Sequence, residues 1–353
     1  MALQSSGAIS LDDIHQEAGG SANSSCTIND SDIRDMIDKS SGATMAFNEW
    51  YGASSGLSGD IGVITYAFAA GSGDTASKAS GYVTITSTGD AQDFSDLVGT
   101  HVRLGASHAN ATRGIVAGGE STNPAVNPRD DYQYTTIASQ ADFADFGDLI
   151  DETWACSGVG NSTRMCVSGG STSSDFTNKI EYVTIGSTGN GTDFGDQSVK
   201  RYYQAGNVNS TTRGCYSGGS VPGVGATSNI IDYITIASAG NATDFGNLNH
   251  ATNNAGGCSS STRGVISEGT GSNNRISYIT IASTGNSSVF GTMTTTKNQV
   301  SGCSNATRGL FVGGLTRPID YITIGSLGNA ADFGDLLNRA YQSPCFSNSH
   351  GGL

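Results

Sequence analysis

Short apolar runs separated by polar, Gly-rich turns dominate the chain from about residue 60 onward. One phrase returns as Gly81-Tyr82-Val83-Thr84-Ile85, Glu181-Tyr182-Val183-Thr184-Ile185, Asp232-Tyr233-Ile234-Thr235-Ile236, Ser277-Tyr278-Ile279-Thr280-Ile281 and Asp320-Tyr321-Ile322-Thr323-Ile324, with Tyr134-Thr135-Thr136-Ile137 as a variant. Each copy leads through a Ser-Thr-Gly-Asn-like turn into an Asp-Phe-Gly-like step: Asp93-Phe94-Ser95, Asp145-Phe146-Gly147, Asp193-Phe194-Gly195, Asp244-Phe245-Gly246, Val289-Phe290-Gly291 and Asp332-Phe333-Gly334. That pattern predicts a strand, a tight turn and a second strand. A second phrase alternates with it, a Thr-Arg-Gly or near variant running into a short apolar stretch that ends in Gly. Its copies start at Thr112-Arg113-Gly114, Thr163-Arg164-Met165, Thr212-Arg213-Gly214, Thr262-Arg263-Gly264 and Thr307-Arg308-Gly309. This predicts another hairpin.

Four short strands per unit of about 45 to 50 residues match a propeller blade, whose sheets stack because one blade cannot bury both faces alone. The two ends of the repeat region complete the count. Gly62 to Gly71 reads as a second strand with no first strand before it, and Pro344 to His350 as a first strand with no second after it. Joined in one sheet they close a ring and remove the free edges that invite aggregation. The sequence therefore predicts an all-β, six-bladed β-propeller over residues 59–353, closed by pairing of its N- and C-terminal strands. The Gly pair after the second strand and the spacing resemble the kelch-type propeller over roughly residues 60–353. The Tyr and Trp that usually follow that pair in kelch blades are absent, so the resemblance implies a kelch-like architecture and no binding residues.

Residues 1–58 lack the repeat. Ser10 is placed to cap a short helix with Asp13 at its third position, and Gly19 to end it. Asn29 or Asp30 can cap a second helix, with Ile33, Met36 and Ile37 on one apolar face too small for a robust independent core. Ser5 to Ile14 (Ser-Ser-Gly-x-Ile-Ser-Leu-x-Asp-Ile), Ile28-Asn29-Asp30-Ser31-Asp32-Ile33-Arg34 and Trp50-Tyr51-Gly52-Ala53-Ser54 resemble the N-terminal module of many virion structural and tail-fibre-like proteins of tailed bacteriophages. The resemblance covers about the first 54 residues. It implies a small, mainly helical or irregular anchor fixing the downstream domain to the particle through Ile9, Leu11, Ile14, Ile33, Met36, Ile37, Phe47, Trp50 and Tyr51. Ser54 to Gly59 then reads as a flexible link.

Composition adds exclusions. Of 353 residues 50 are Gly and 5 are Pro, about twice the ordinary Gly share, which suits tight turns; no Gly-X-Y period is present. Acidic residues outnumber basic ones 31 to 17, a net charge of −14 that repels a phosphate backbone, so no nucleic-acid partner is expected. No stretch reaches the roughly 18 to 20 apolar residues of a membrane span, and Met1 to Gly7 lacks the basic and apolar regions of a signal peptide. Synthesis in the host cytoplasm and, with the phage resemblance, residence on the virion are expected. The seven Cys sit largely in matching slots of different units, where blade spacing is expected to hold them apart and reduced. No His-x-x-x-His or Cys-x-x-Cys spacing occurs, so neither a metal nor another cofactor is expected.

Several motifs have plain readings. The Asp-Phe-Gly triplets share their letters with the kinase magnesium motif, but no Gly-rich nucleotide loop or catalytic Lys precedes them. Their Asp is expected to accept hydrogen bonds from a neighbouring turn or to pair with a repeat Arg across blades. The Asn-x-Ser/Thr triplets at Asn110, Asn161, Asn190, Asn209, Asn241, Asn286 and Asn305 fall in repeat turns, where Asn serves the backbone. Acidic turns such as Asp90, Asp93 and Asp96 lack the Asp-x-Asx-x-Asx-Gly calcium loop. Neither a repeated sialidase Asp-box nor the His-rich copper site of a galactose oxidase is evident, and no catalytic residue is assigned.

With strands alternating in direction, one face of the disc carries the short, uniform Arg and Thr-Gly-Asn turns. The other carries connections that vary: Glu120 to Asp131, Ser171 to Lys179 and Ser220 to Asn229 are long, Leu315 to Pro318 brief. Inter-blade segments add the candidate binding residues Arg103, Trp154, Lys200, Arg201, Tyr202, Tyr203, His250, Lys297, Arg339 and Tyr341, a mixture that suits sugars or protein surfaces. The plain alternative is that they seal the blade junctions. The expectation is a non-enzymatic phage virion structural protein of the tail fibre, baseplate, neck or capsid surface, present in multiple copies. It would dock to other virion proteins by its N-terminal module and display the propeller to a host-surface glycan or protein, without membrane insertion. An envelope-polysaccharide-degrading propeller enzyme and a purely architectural virion component are the alternatives.

Overall fold

The computed structural model describes residues 9–19, 21–37, 39, 42, 44–46, 56–66, 77–101, 105–121, 127–223, 226–268, 274–314 and 316–353. Two compact units divide the chain, Met1–Ser58 with Ala138–Gln140 and Gly59–Ile137 with Ala141–Leu353. In the smaller unit, helix α1 (Leu11–Glu17) starts from Ser10 in a reciprocal capping box with Asp13, and Gly19 follows its end at φ 93°. Helix α2 (Ser31–Asp35) has Asp30 at its N-cap, but the Asp30 carboxylate turns back to accept from the Thr27 N–H and hydroxyl. Ile14 and Ile33 are fully buried, with Ile9, Leu11, Met36 and Ile37 packed around them. Phe47, Trp50 and Tyr51 lie outside the described residues.

The larger unit is a six-bladed β-propeller. Blade 1 is Ile61–Thr65, Ser77–Thr84 and Gln92–His101, with Cys345–Ser347 as its innermost strand; the remainder of the expected strand, Ala67 to Gly71, lies outside the described residues. Blade 2 runs, inside to outside, Ala106–Ala109, Arg113–Ala117, Asn127–Thr136 and Ala144–Thr153. Blade 3 is Ser157–Gly160, Arg164–Ser168, Lys179–Thr184 and Thr192–Asp196, and blade 4 is Ala205–Asn209, Arg213–Ser217, Ala226–Thr235 and Thr243–Thr252. Blade 5 is Gly257–Ser259, Arg263–Ser267, Arg275–Thr280 and Ser288–Thr292, and blade 6 is Val300–Ser304, Arg308–Gly313, Pro318–Thr323 and Ala331–Asp335. In blades 2 and 4 the long connections add two-residue ladders, Glu120–Ser121 and Ser220–Val221, on an extended third strand.

The core is layered between blades. Ile115, Tyr132 and Phe146 of blade 2 pack on Met165, Val183 and Ile185 of blade 3, and equivalent layers join blades 3–4, 4–5, 5–6 and 6–1. Polar links recur at the same junctions. The turn residues Asp142, Asn190, Asn241, Asn286, Asn329 and Asp90 each accept, through Oδ1, a backbone N–H from the outer strand of the preceding blade, at 2.9 to 3.1 Å. Three of the Asn-x-Ser/Thr residues, Asn190, Asn241 and Asn286, are thus blade-to-blade acceptors. Asn110, Asn161 and Asn305 instead cap the Arg turns through their own Oδ1.

The expected pairing of repeat Arg with the Asp of Asp-Phe-Gly is not formed. Each Arg lies over its own blade's Tyr and donates to a carbonyl of the next blade: Arg113 to Ile185, Arg164 to Ile236, Arg213 to Ile281, Arg263 to Ile324 and Arg308 to Ile85, at 2.8 to 3.0 Å. Guanidinium-to-ring distances are 4.3 to 4.7 Å over Tyr134, Tyr182, Tyr233, Tyr278 and Tyr321. The ring and the strand-end carbonyl hold the cation, while Asp93, Asp145, Asp193, Asp244 and Asp332 stay exposed to water.

Closure follows the expected route. Gly62, Val63 and Ile64 pair antiparallel with Ser347, Phe346 and Cys345. Asn348 Oδ1 accepts from Ile61 N–H at 2.8 Å, the bond Asn305 makes to Arg308 within one turn. The repeat turn is thereby rebuilt from residues 287 apart in the chain. All seven cysteines are free thiols, but Cys303 and Cys345, expected to be held apart, lie in one buried cluster at the closing junction.

Candidate functional site

The variable face is where the inner strands begin, and each of five entries carries a non-glycine residue in the left-handed region. These are Ala155 (φ 57°), Tyr203 (62°), Asn254 (54°), Gln299 (61°) and Gln342 (47°), conformations that cost of order 1 kcal/mol or more apiece. Their backbones link blade to blade: Tyr203 N–H donates to Ala155 O, Asn254 N–H to Tyr203 O, Val300 N–H to Asn254 O and Gln342 N–H to Gln299 O, at 2.9 to 3.1 Å. Ala155 and Gln342 of this rim line a pit of about 50 Å³ at the mouth of the central channel. Small residues let the inner strands crowd together below it, since a Cβ on Gly206 would stand 2.5 Å from the Gly158 carbonyl oxygen. Asn207 lies in the lining of the pit and donates from Nδ2 to Gly302 O and Cys345 O at 3.0 and 2.8 Å.

Chain residues 350–353 fill the opposite end. His350 donates from Nε2 to Ala109 O at 2.6 Å, accepts the Gly352 N–H at Nδ1, and lies 4.4 Å from the His108 ring. Burial holds both imidazoles neutral, lowering His350 to about 4 and His108 well below its ordinary value.

Beside the pit, at the junctions flanking blade 3, four aromatic rings form a continuous shelf. Trp154 meets Tyr203 edge-on at 5.9 Å, Tyr203 meets Tyr202 at 4.8 Å, and Tyr202 stacks on Phe176 at 4.8 Å and 28°. Backbone bridges hold them: Trp154 pairs with Ser171, Ser171 with Phe176, and Tyr202 with Ser220. The loop from Ser171 is tightened by Thr172, whose hydroxyl donates to Asp175 O and accepts the Asp175 N–H. Exposed ion pairs flank the shelf, Lys200–Asp175 and Lys179–Asp151, both at 2.5 Å.

Of the candidate binding residues, the structure brings Trp154, Lys200, Tyr202 and Tyr203 together. Arg201 and Lys297 are corrected: neither side chain reaches the surface. Arg201 bonds Asp232 at 2.6 Å and the carbonyls of Gly218 and Ile230, and Lys297 bonds Asp320 at 3.1 Å and Pro318 O. Burial lowers the pKa of both cations, partly offset by the carboxylate each faces. His250 stands elsewhere on the ring with Nδ1 3.3 Å from Glu268, Tyr341 receives a hydrogen bond from Gln299 Nε2, and Arg339 is exposed. Arg103 lies outside the described residues. Phe176 was not among the candidate residues; its place in the long connection from Ser171 to Lys179 was the available signal.

At the junction of blades 2 and 3, Glu181 is buried and accepts from Tyr132 OH at 2.7 Å and Ile150 N–H at 3.1 Å. Desolvation pushes its pKa up to about 7 against those two bonds. Among the described residues no group of three or more His, Cys, Asp and Glu is placed to hold a metal ion, and no helix is long and apolar enough to cross a membrane. The chain matches no protein-family model and no curated protein.

Proposed function

We propose that this protein is a non-catalytic component of a phage virion that displays its propeller for recognition of a host-surface glycan or of a neighbouring virion protein. The virion assignment rests on the resemblance of about the first 54 residues to phage attachment modules. The recognition assignment rests on one observation, the half-buried shelf Trp154–Tyr203–Tyr202–Phe176 built on backbone-bridged loops. Aromatic rings held on a rigid scaffold give contact area at little entropic cost.

The test is saturable binding of labelled full-length protein to host cells, with competition against phage adsorption. Tyr202→Ala/Tyr203→Ala should reduce binding at least tenfold while far-UV circular dichroism and the melting profile stay those of a folded propeller. Folded protein with no cell binding would remove host recognition, and the partner would then be sought among virion proteins that retain the residues 1–58 unit.

A further inference from the structure

Alongside the shelf, the loop from Thr172 to Asn178 and the end of the blade 2 outer strand enclose an open cleft of about 470 Å³. That lies within the roughly 300 to 1,000 Å³ of small-ligand sites. We infer that this cleft is a glycan subsite selective for amino-bearing sugars over neutral ones, and for neutral sugars over acidic ones. The inference rests on the recognition reading above.

Phe176 lines the cleft, and its stack on Tyr202 fixes the ring. A fixed aromatic surface supports the C–H face of a pyranose, while the exposed Ser173 and Ser174 in the cleft lining offer polar groups to hydroxyls. Charge sets the selectivity. Four carboxylates line the cleft, Asp151, Glu152, Asp175 and Asp196, against two ammonium groups. Lys179 and Lys200 are each already paired, with Asp151 and Asp175. Glu152 and Asp196 therefore leave an uncompensated negative field, on a chain whose net charge is −14. A sugar carboxylate or sulfate entering here meets like charge, whereas a protonated amine meets a counterion, and like-charge juxtaposition is an effective means of rejection.

The experiment is calorimetric titration of full-length protein at 150 mM salt with three probes of equal length: glucosamine, N-acetylglucosamine and galacturonic acid oligomers. Affinity should fall in that order, with no measurable binding of the last. Phe176→Ala should weaken both hexosamine series at least tenfold. Glu152→Gln should cut the preference for glucosamine over its N-acetyl form about threefold or more. Glucosamine binding that survives Phe176→Ala would reveal bulk charge attraction and overturn the inference, as would binding of the galacturonate oligomer. If none of the probes binds while the protein still competes for host cells, the subsite fails and the recognition reading stands; absence of cell binding as well removes host recognition too and leaves a virion protein as the partner.

Discussion

One residue slot explains much of how the blades are joined. The residue before Tyr in the third-strand phrase faces an N–H in or just past the outer strand of the preceding blade, and the chain satisfies that N–H in several ways. Gln133 takes Val98 N–H, Glu181 takes Ile150, Asp232 takes Ser198 and Asp320 takes Thr294. In blade 5 the slot holds Ser277 and Ser287 accepts from Asn249 instead; in blade 1 it holds Gly81, and the Tyr66 hydroxyl fills the space and accepts from Leu337. Arg201 and Lys297 are counterions to two of these buried acids. Arg201→Met should therefore cost about 3–5 kcal/mol by stranding a buried carboxylate, read as a lower urea midpoint at constant slope. The neighbouring Lys200→Met removes only an exposed pair and should move stability by less than about 1 kcal/mol. Glu181 gives a pH signature. Its pKa is raised to about 7 in the folded state, so folding favours the protonated acid, and the penalty for ionising it is absent at pH 4 and complete above pH 7. Relative to wild type, Glu181→Gln should thus gain up to about 3 kcal/mol as pH rises from 4 to 8; parallel stability curves would refute the shift.

At the scale of elements, the period of the sequence was enough to place the strands, because alternating burial and turn chemistry act locally. The blade count and the closing strand pair were legible for the same reason: a second strand lacking a first and a first lacking a second fit only each other. What the period does not encode is where a long side chain ends. Arg201 and Lys297 sit in connections and looked like surface cations, yet four methylenes or a guanidinium stem carry the charge inward to Asp232 and Asp320. The repeat Arg likewise chose a Tyr face and an Ile carbonyl over Asp. Arg213→Ala, which removes the stack at 4.3 Å and the bond to Ile281 at 3.0 Å, should cost about 2 kcal/mol and lower the melting temperature. Arg213→Lys should restore only part of that loss, since an ammonium cannot lie flat on the ring.

For the whole molecule, the six junctions are not equal. Five carry the Arg bridge; at the junction of blades 1 and 2 the register puts Ile61 in the Arg slot. The channel is also closed unequally, by Asn207 near the variable face and by the neutral His350 at the other end. A His whose folded pKa is depressed to about 4 contributes stability that is intact above about pH 6.5 and is lost as pH falls toward 4. Acid should therefore loosen residues 350–353 before the blades. Hydrogen exchange at Gly351 and Gly352 should accelerate between pH 6 and 4, after correction for intrinsic rates, and His350→Gln should abolish that acid-dependent component.

The turn shared by Ile61 and Asn348 also dictates a timetable. Its two halves leave the ribosome at opposite ends of the propeller's synthesis, so blades 2 to 6 can stack as they emerge while blade 1 waits with one strand missing. The last step of folding is then the slowest kind, a non-local pairing with a long loop to close. A chain arrested before Cys345 would hold five complete blades and a bare strand edge at Ile61–Thr65, ready to borrow its missing strand from another molecule.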